Sequence, residues 1–192
     1  MECAVCRKKA TTDFRHLRPL CDNCFSRAIE KRLRKYIRLN RLIRKGDRLL
    51  VIDDFSHYFL NKIVKDLPIK IFKKSISLNL IINDEINIKS IVKKHRINKI
   101  LLPWTLDTEG TAFLQSYFKN KKMLILPKSH IKFLKAITEE EADVFAIIHK
   151  IKRKKITIDK KINEFINKIE KINPGAKFGL ARSSEKFEEL GI

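Results

Sequence analysis

The sequence predicts an α/β protein with a small N-terminal module organised by four cysteines and a basic helix after it. A parallel sheet with helices on both faces follows, and then a C-terminal helical part. Three observations carry that expectation. All four cysteines fall in the first 24 of 192 residues, as Cys3-x-x-Cys6 and Cys21-x-x-Cys24. From Arg48 onward, short apolar runs of strand length alternate with helical segments, the pattern of βαβ units. Basic side chains outnumber acidic ones 43 to 22, and the first 48 residues hold +10 of the resulting +21. A charge of that size points to a polyanionic partner, nucleic acid first. With 44% hydrophobic residues the chain can bury a core and is too apolar for wholesale disorder.

The cysteine pairs, separated by fourteen residues, define the first unit, residues 1–24. In a reducing compartment two such pairs can wrap four thiolates around one tetrahedral Zn²⁺, with Zn–S distances of about 2.3 Å. Two disulfides would need an oxidising compartment, and an iron–sulfur cluster is a lesser competitor for the same thiolates. The expected cofactor is a structural Zn²⁺ on Cys3, Cys6, Cys21 and Cys24, with His16 a surface residue. Residues 25–192 contain no cysteine. Chemistry needing a persulfide or a thiolate nucleophile is therefore not expected of the body.

Residues 25–47 read as a basic linking helix. From Phe25 to Lys45 there is no glycine or proline, and Arg27, Lys31, Arg34, Arg38, Arg41 and Lys45 recur at spacings of 4, 3, 4, 3 and 4. At about 100° per residue these six fall in an arc of roughly 80°, with Phe25, Ile29, Leu33, Tyr36 and Ile43 on the other side. Only Glu30 and Asp47 dilute ten basic residues between Arg27 and Arg48. Salt-bridge lacing along the helix is thus nearly absent, which favours a nucleic-acid contact over a merely solvated face.

Residues 48–137 read as the α/β domain. Leu49-Leu50-Val51-Ile52 is a short apolar run, as in a strand buried on both faces of a parallel sheet. Further strands are expected at 69–72, 78–82, 99–102 and 123–126, with helices at 57–65, 86–95 and 107–119. Ligands of such sheets bind at the carboxyl ends of the strands. Here that place reads Asp53-Asp54-Phe55-Ser56-His57-Tyr58. Asp53-Asp54 is expected to be a solvated strand terminus, with Mg²⁺ binding the sharper alternative. His57 has no recognisable nucleophile or orienting partner, and Trp104 reads as core or interface packing rather than a base-stacking platform. The five glycines are scattered, so no phosphate-cradling loop is available.

Residues 138–192 read as helical. Thr138-Glu139-Glu140-Glu141 forms a capping box. The run 158–172 spaces Ile158, Ile162, Phe165, Ile169 and Ile172 on one face, as core or a subunit interface, and stops at Pro174-Gly175. Lys152-Arg153-Lys154-Lys155 forms a second basic cluster between the helices.

Several of these segments, in this order, resemble the PP-loop ATPase family, and within it the proteins that 2-thiolate the wobble uridine of cytoplasmic tRNA. The zinc finger and basic helix leading to Lys45-Gly46-Asp47-Arg48-Leu49-Leu50-Val51 look like that family's start. Leu106-Asp107-Thr108-Glu109 leading into Phe113-Leu114-Gln115 resembles its G-H-N-x-D-D-x-A helix start. Pro174-Gly175-Ala176-Lys177-Phe178 followed by Ala181-Arg182-Ser183-Ser184-Glu185-Lys186 is similar to its P-G-x-(K)-(F/Y) and R-S-x-E-K tail. The resemblance implies a PP-loop, adenine-nucleotide-hydrolase-like sheet. Catalytic members hold pyrophosphate in an S-G-G-x-D-S loop after the first strand and carry cysteines in the α/β body, and this chain has neither.

What the resemblance then implies is the degenerate, non-catalytic subunit of a thiolation pair. Such a subunit would bind tRNA and pair with a catalytic PP-loop thiolase that modifies uridine 34. Its RNA contacts would be the six basic helix residues together with Arg182 in the tail. Two alternatives stay open, a zinc-module DNA-binding regulator and an enzyme with an atypical ATP site. No apolar run approaches the roughly 20 residues of a membrane-spanning helix, and no signal peptide is expected, so a soluble, cytoplasmic protein without a membrane partner is anticipated.

Overall fold

In a computed structural model of the chain, the residues described are 1–64, 67–75, 86–119, 126–156 and 158–190. The N-terminal module is a pair of tight turns pinned by two antiparallel bridges, Glu2 with Lys9 and Thr12 with Leu20. Helix α1 (Asp22–Leu39) starts inside that module, with Cys21 as its N-cap residue. It therefore begins before the expected Phe25. It also stops earlier than the expected 47. Asn40 closes the last turn, Arg41 takes a left-handed conformation with φ 49°, and the Leu42 amide donates back to Ile37 O at 3.0 Å. Glycine usually fills such a stop, so an arginine there leaves no mark in the sequence. Gly46, at φ 84°, then turns the chain into the sheet.

Four parallel strands, β1 (Arg48–Val51), β2 (Lys70–Lys73), β3 (Lys99–Leu102) and β4 (His130–Lys132), lie in the order β2-β1-β3-β4. The first three fall within a residue of expectation. The proposed strand 78–82 lies outside the described residues, as do 123–125, and Leu126 belongs to no strand. The fourth strand is instead His130-Ile131-Lys132, whose only buried member is Ile131, too short an apolar signal to be seen. The unbroken apolar runs of β1 and β3 have a simple cause. Leu49, Val51 and Leu101 pack on one face, and Leu50, Ile52, Ile100 and Leu102 on the other.

The helices are α2 (Asp54–Ile63), α3 (Ile86–His95), α4 (Leu106–Phe118), α5 (Glu139–Ile148), α6 (Lys160–Ile172) and α7 (Ala176–Leu190). The first face is covered by α1, α2 and α5, through Phe25, Ile29, Leu33, Phe55, Phe59 and Phe145. The second is covered by α3 and Trp104. Trp104 is 3% exposed, which places it in the core. The expected capping box is present, with Thr138 Oγ1 accepting from the Glu141 amide and Glu141 Oε2 accepting from the Thr138 amide. The expected single apolar face of α6 is only half right. Ile162 and Ile166 are buried, whereas Phe165 and Ile172 point to solvent. No described helix is long and apolar enough to cross a membrane.

Candidate functional site

The four cysteines meet although Cys6 and Cys21 lie far apart in sequence. All four Sγ atoms are within 4.8 Å of one another, and the Cys6 and Cys21 sulfurs are 3.5 Å apart. Four sulfurs held about 2.3 Å from a single tetrahedral ion stand about 3.8 Å apart, so the group is close enough to hold a metal. Burial works against the Cys3 thiolate, but the backbone amides of Cys21, Cys6 and Val5 outweigh it and bring the pKa down to about 6. Burial and the neighbouring sulfurs push Cys24 up to about 12. Four thiolates can coexist here only around a cation, and the group can hold a metal. His16 is not a ligand. It is docked 3.0 Å from Glu141 Oε1 and packs on Phe178, which corrects its expected place on the open surface.

The second candidate region is the crevice where strand order reverses, at the carboxyl ends of β1 and β3. Asp53 stands two residues past the end of β1 and is 3% exposed, not a solvated terminus. It caps α2, accepting from the Ser56 amide at 3.0 Å. Burial raises its pKa, a larger effect than the Ser56 hydrogen bonds and the Arg153 charge that lower it. Beyond β3, Thr105 caps α4 and donates to Glu139 Oε2 at 2.7 Å.

Arg153 bridges the two sides. Its guanidinium lies 5.4 Å over the Phe55 ring and pairs with Glu139 at 2.7 Å and Asp143 at 2.6 Å. With its side chain 5% exposed, Arg153 is packed between Phe55 of α2 and the start of α5, near enough to Asp53 for its charge to act on that carboxyl. Lys154 is tied to Ser75 beyond β2, and Ile156 packs on the second core face. His57 faces a neighbouring open cleft of about 650 Å³ with Asp54, Lys73, Lys150 and Lys152, and Asp54 is paired with Lys73. Burial and the Lys73 charge lower the His57 pKa.

The C-terminal tail acts as a clasp on α4. Lys177 forms a buried ion pair with Asp107, whose other oxygen accepts from the Glu139 amide at 2.6 Å. Glu109 accepts from Trp104 Nε1 at 2.7 Å and Ser184 Oγ at 2.8 Å, and pairs with Lys135 at 2.9 Å. Burial opposes the Glu109 charge, but Lys132 and Lys135 outweigh it and lower its pKa. Glu141 is gripped by Arg32 at 2.8 Å through both oxygens, and Arg32 also sits 5.7 Å over Phe178. Where α4 and α7 cross, a Cβ on Gly110 would stand 2.8 Å from Leu180 Cδ2. Sequence reasoning had the tail motif and the 152–155 basic cluster, but not which members would be buried.

The basic side chains expected to contact RNA lie at the surface. Arg27, Lys31, Arg34 and Arg38 are exposed along α1, while Arg41 and Lys45 are exposed in the turns after it, corrected from the expected continuous helix. Arg34 is 3.6 Å from Glu30. Among the described residues, Arg27, Lys31, Arg38, Arg41 and Lys45 have no ion pair. Arg182 is exposed on α7, and no hydrogen bond or ion pair described joins it to that stripe.

Among the described residues, a four-stranded parallel sheet, its flanking helices and the N-terminal cysteine cluster make up an α/β fold shared with a solved tRNA thiolase. No family model matches the sequence, and neither does any curated protein. Among solved structures, the chain is similar to the U34-tRNA thiolase NcsA from Methanococcus maripaludis, determined with its [4Fe-4S] cluster. That likeness covers 98% of this chain and 87% of the thiolase, with a TM-score of 0.75 and 17% identity, and it is a likeness of fold.

Proposed function

We propose that this protein is a non-catalytic, tRNA-binding subunit that pairs with a catalytic PP-loop thiolase in the 2-thiolation of wobble uridine 34. The observation that carries the reading is the state of the strand-end crevice. Where the family resemblance calls for a glycine loop around pyrophosphate, a buried, N-capping Asp53 and an Arg153 ion-paired with Glu139 and Asp143 stand instead. A buried carboxylate disfavours a triphosphate. The lack of cysteine in residues 25–192 argues against a sulfur-carrying step on the body. The fold shared with a tRNA thiolase and the unpaired cations along α1 support the RNA role.

The close sulfur spacing favours a single Zn²⁺ over a [4Fe–4S] cluster, in which each thiolate binds a different iron. The structurally similar thiolase carries such a cluster, so iron is the competing reading. Metal analysis of anaerobically purified protein decides it. One zinc per chain without visible absorbance is expected, and a brown, four-iron preparation would reverse the assignment.

The function is tested by calorimetry with Mg-ATP and by tRNA binding, with the purified chain alone and with a catalytic PP-loop thiolase. No ATP binding is expected, together with salt-sensitive tRNA affinity and a stable complex with the thiolase. Micromolar ATP affinity abolished by Ser56→Ala would instead favour an enzyme with an atypical site.

A further inference from the structure

Trp104, expected from the sequence to be core or interface packing rather than a base-stacking platform, is buried. The exposed rings are elsewhere. Tyr117 and Phe118, at the end of α4, are 71% and 59% exposed, and Phe165 on α6 is 47% exposed. The Tyr117 and Phe118 ring centroids are 6.1 Å apart and those of Phe118 and Phe165 are 6.4 Å apart, each pair edge to face at 66° and 69°, so that the row across two helices offers separate ring faces rather than one flat stack. On α6, Lys161 and Lys168 lie within about 60° of Phe165 around the helix axis and are exposed. The acidic Glu164 stands about 100° from Phe165, on the far flank of the two lysines. Neither lysine has an ion pair among the described residues.

We infer that this row is a stacking platform for unpaired bases of an RNA strand, with Lys161 and Lys168 meeting the phosphates beside it. Every base has a π-face, so exposed aromatics edged by cations bind single strands with little sequence preference. Lysine is depleted at protein–protein interfaces, and a surface of this kind on a chain of net charge +21 is complementary to an anionic strand. The inference deepens the proposed tRNA-binding role and rests on it. The platform would hold a loop or an end of the RNA while the α1 stripe follows its backbone.

The test uses the full-length protein, an oligouridine single strand and a folded tRNA transcript. The rings are exposed, so Tyr117→Ala/Phe165→Ala is expected to fold with unchanged thermal stability. Its oligouridine affinity should fall at least about fivefold, while the dependence of log K on log salt keeps its slope, since stacking releases no counterions. The conservative Tyr117→Trp/Phe165→Trp should retain affinity, and Lys161→Glu/Lys168→Glu should weaken binding and flatten the slope. Unchanged oligouridine affinity in the alanine variant, with tRNA binding intact in the wild type, overturns the platform and leaves the tRNA-binding reading standing. A wild-type dimer that the alanine variant dissolves without loss of RNA affinity also overturns it, as a protein interface. Failure of the wild type to bind either RNA overturns both.

Discussion

Asp53 is asked to do two things that conflict, to cap a helix and to stay buried. Its carboxylate satisfies the Ser56 amide, yet burial raises its pKa above the ordinary value. An amide would cap equally well without the buried charge. Asp53→Asn should therefore match or exceed wild-type stability at neutral pH, while Asp53→Ala should lose about 1 kcal/mol with the cap. Thermal melts of both variants check this. At Asp107 the sign reverses, because its charge is matched by Lys177 in the interior. Removing one partner leaves a buried ion alone, so Asp107→Ala should cost about 3–5 kcal/mol by urea unfolding.

Glu141 supplies the acid sensitivity. Burial opposes its charge, but His16 and Arg32 outweigh that and depress its folded pKa below the ordinary 4.5. A depressed carboxylate means that the unfolded chain binds more protons. Its contribution is complete above about pH 4.5 and is lost as pH falls through the lower folded value. Glu141→Gln should accordingly flatten the loss of stability below that pH, as measured by denaturant midpoints across an acid series.

Among the elements, α1 is the one whose two ends had different visibility. Its stripe, its buried Phe25, Ile29 and Leu33, and its link to the cysteine module could be read from residue spacing. Its end could not, because the stop depends on Arg41 adopting a positive φ without glycine. β4 was hidden for another reason, having a single buried side chain at Ile131. The tail motif was legible as a pattern, but its pairing of Lys177 with Asp107 and Ser184 with Glu109 joins residues about seventy positions apart. Local periodicity carries no information about such contacts. Since Cys21 is both a cluster member and the α1 N-cap, stripping the metal should fray the first turns of α1. Circular dichroism should lose helical signal on chelation and regain it on adding Zn²⁺.

At the scale of the whole molecule, the cations of α1 are kept apart from the apolar core, while the Asp107–Lys177 and Glu109–Lys135 charges are buried as pairs. The apolar faces of the sheet are closed by helices, while the cations of α1 and its following turns remain outside. Charge reversal at Arg34, Arg38 and Arg41 together should weaken tRNA binding. Each phosphate contact removed should also lower the log–log salt slope by about 1, which filter binding over a salt series reads directly.

The Arg153 bridge bears on any attempt to open the strand-end crevice by design. Grafting two glycines at positions 53 and 54 would recreate the shape of a phosphate loop but not vacancy above it, since the guanidinium and its two carboxylate partners would still be in residence. Opening the crevice by mutation would therefore need loop and bridge changed together, since either change alone leaves the other obstacle where it is.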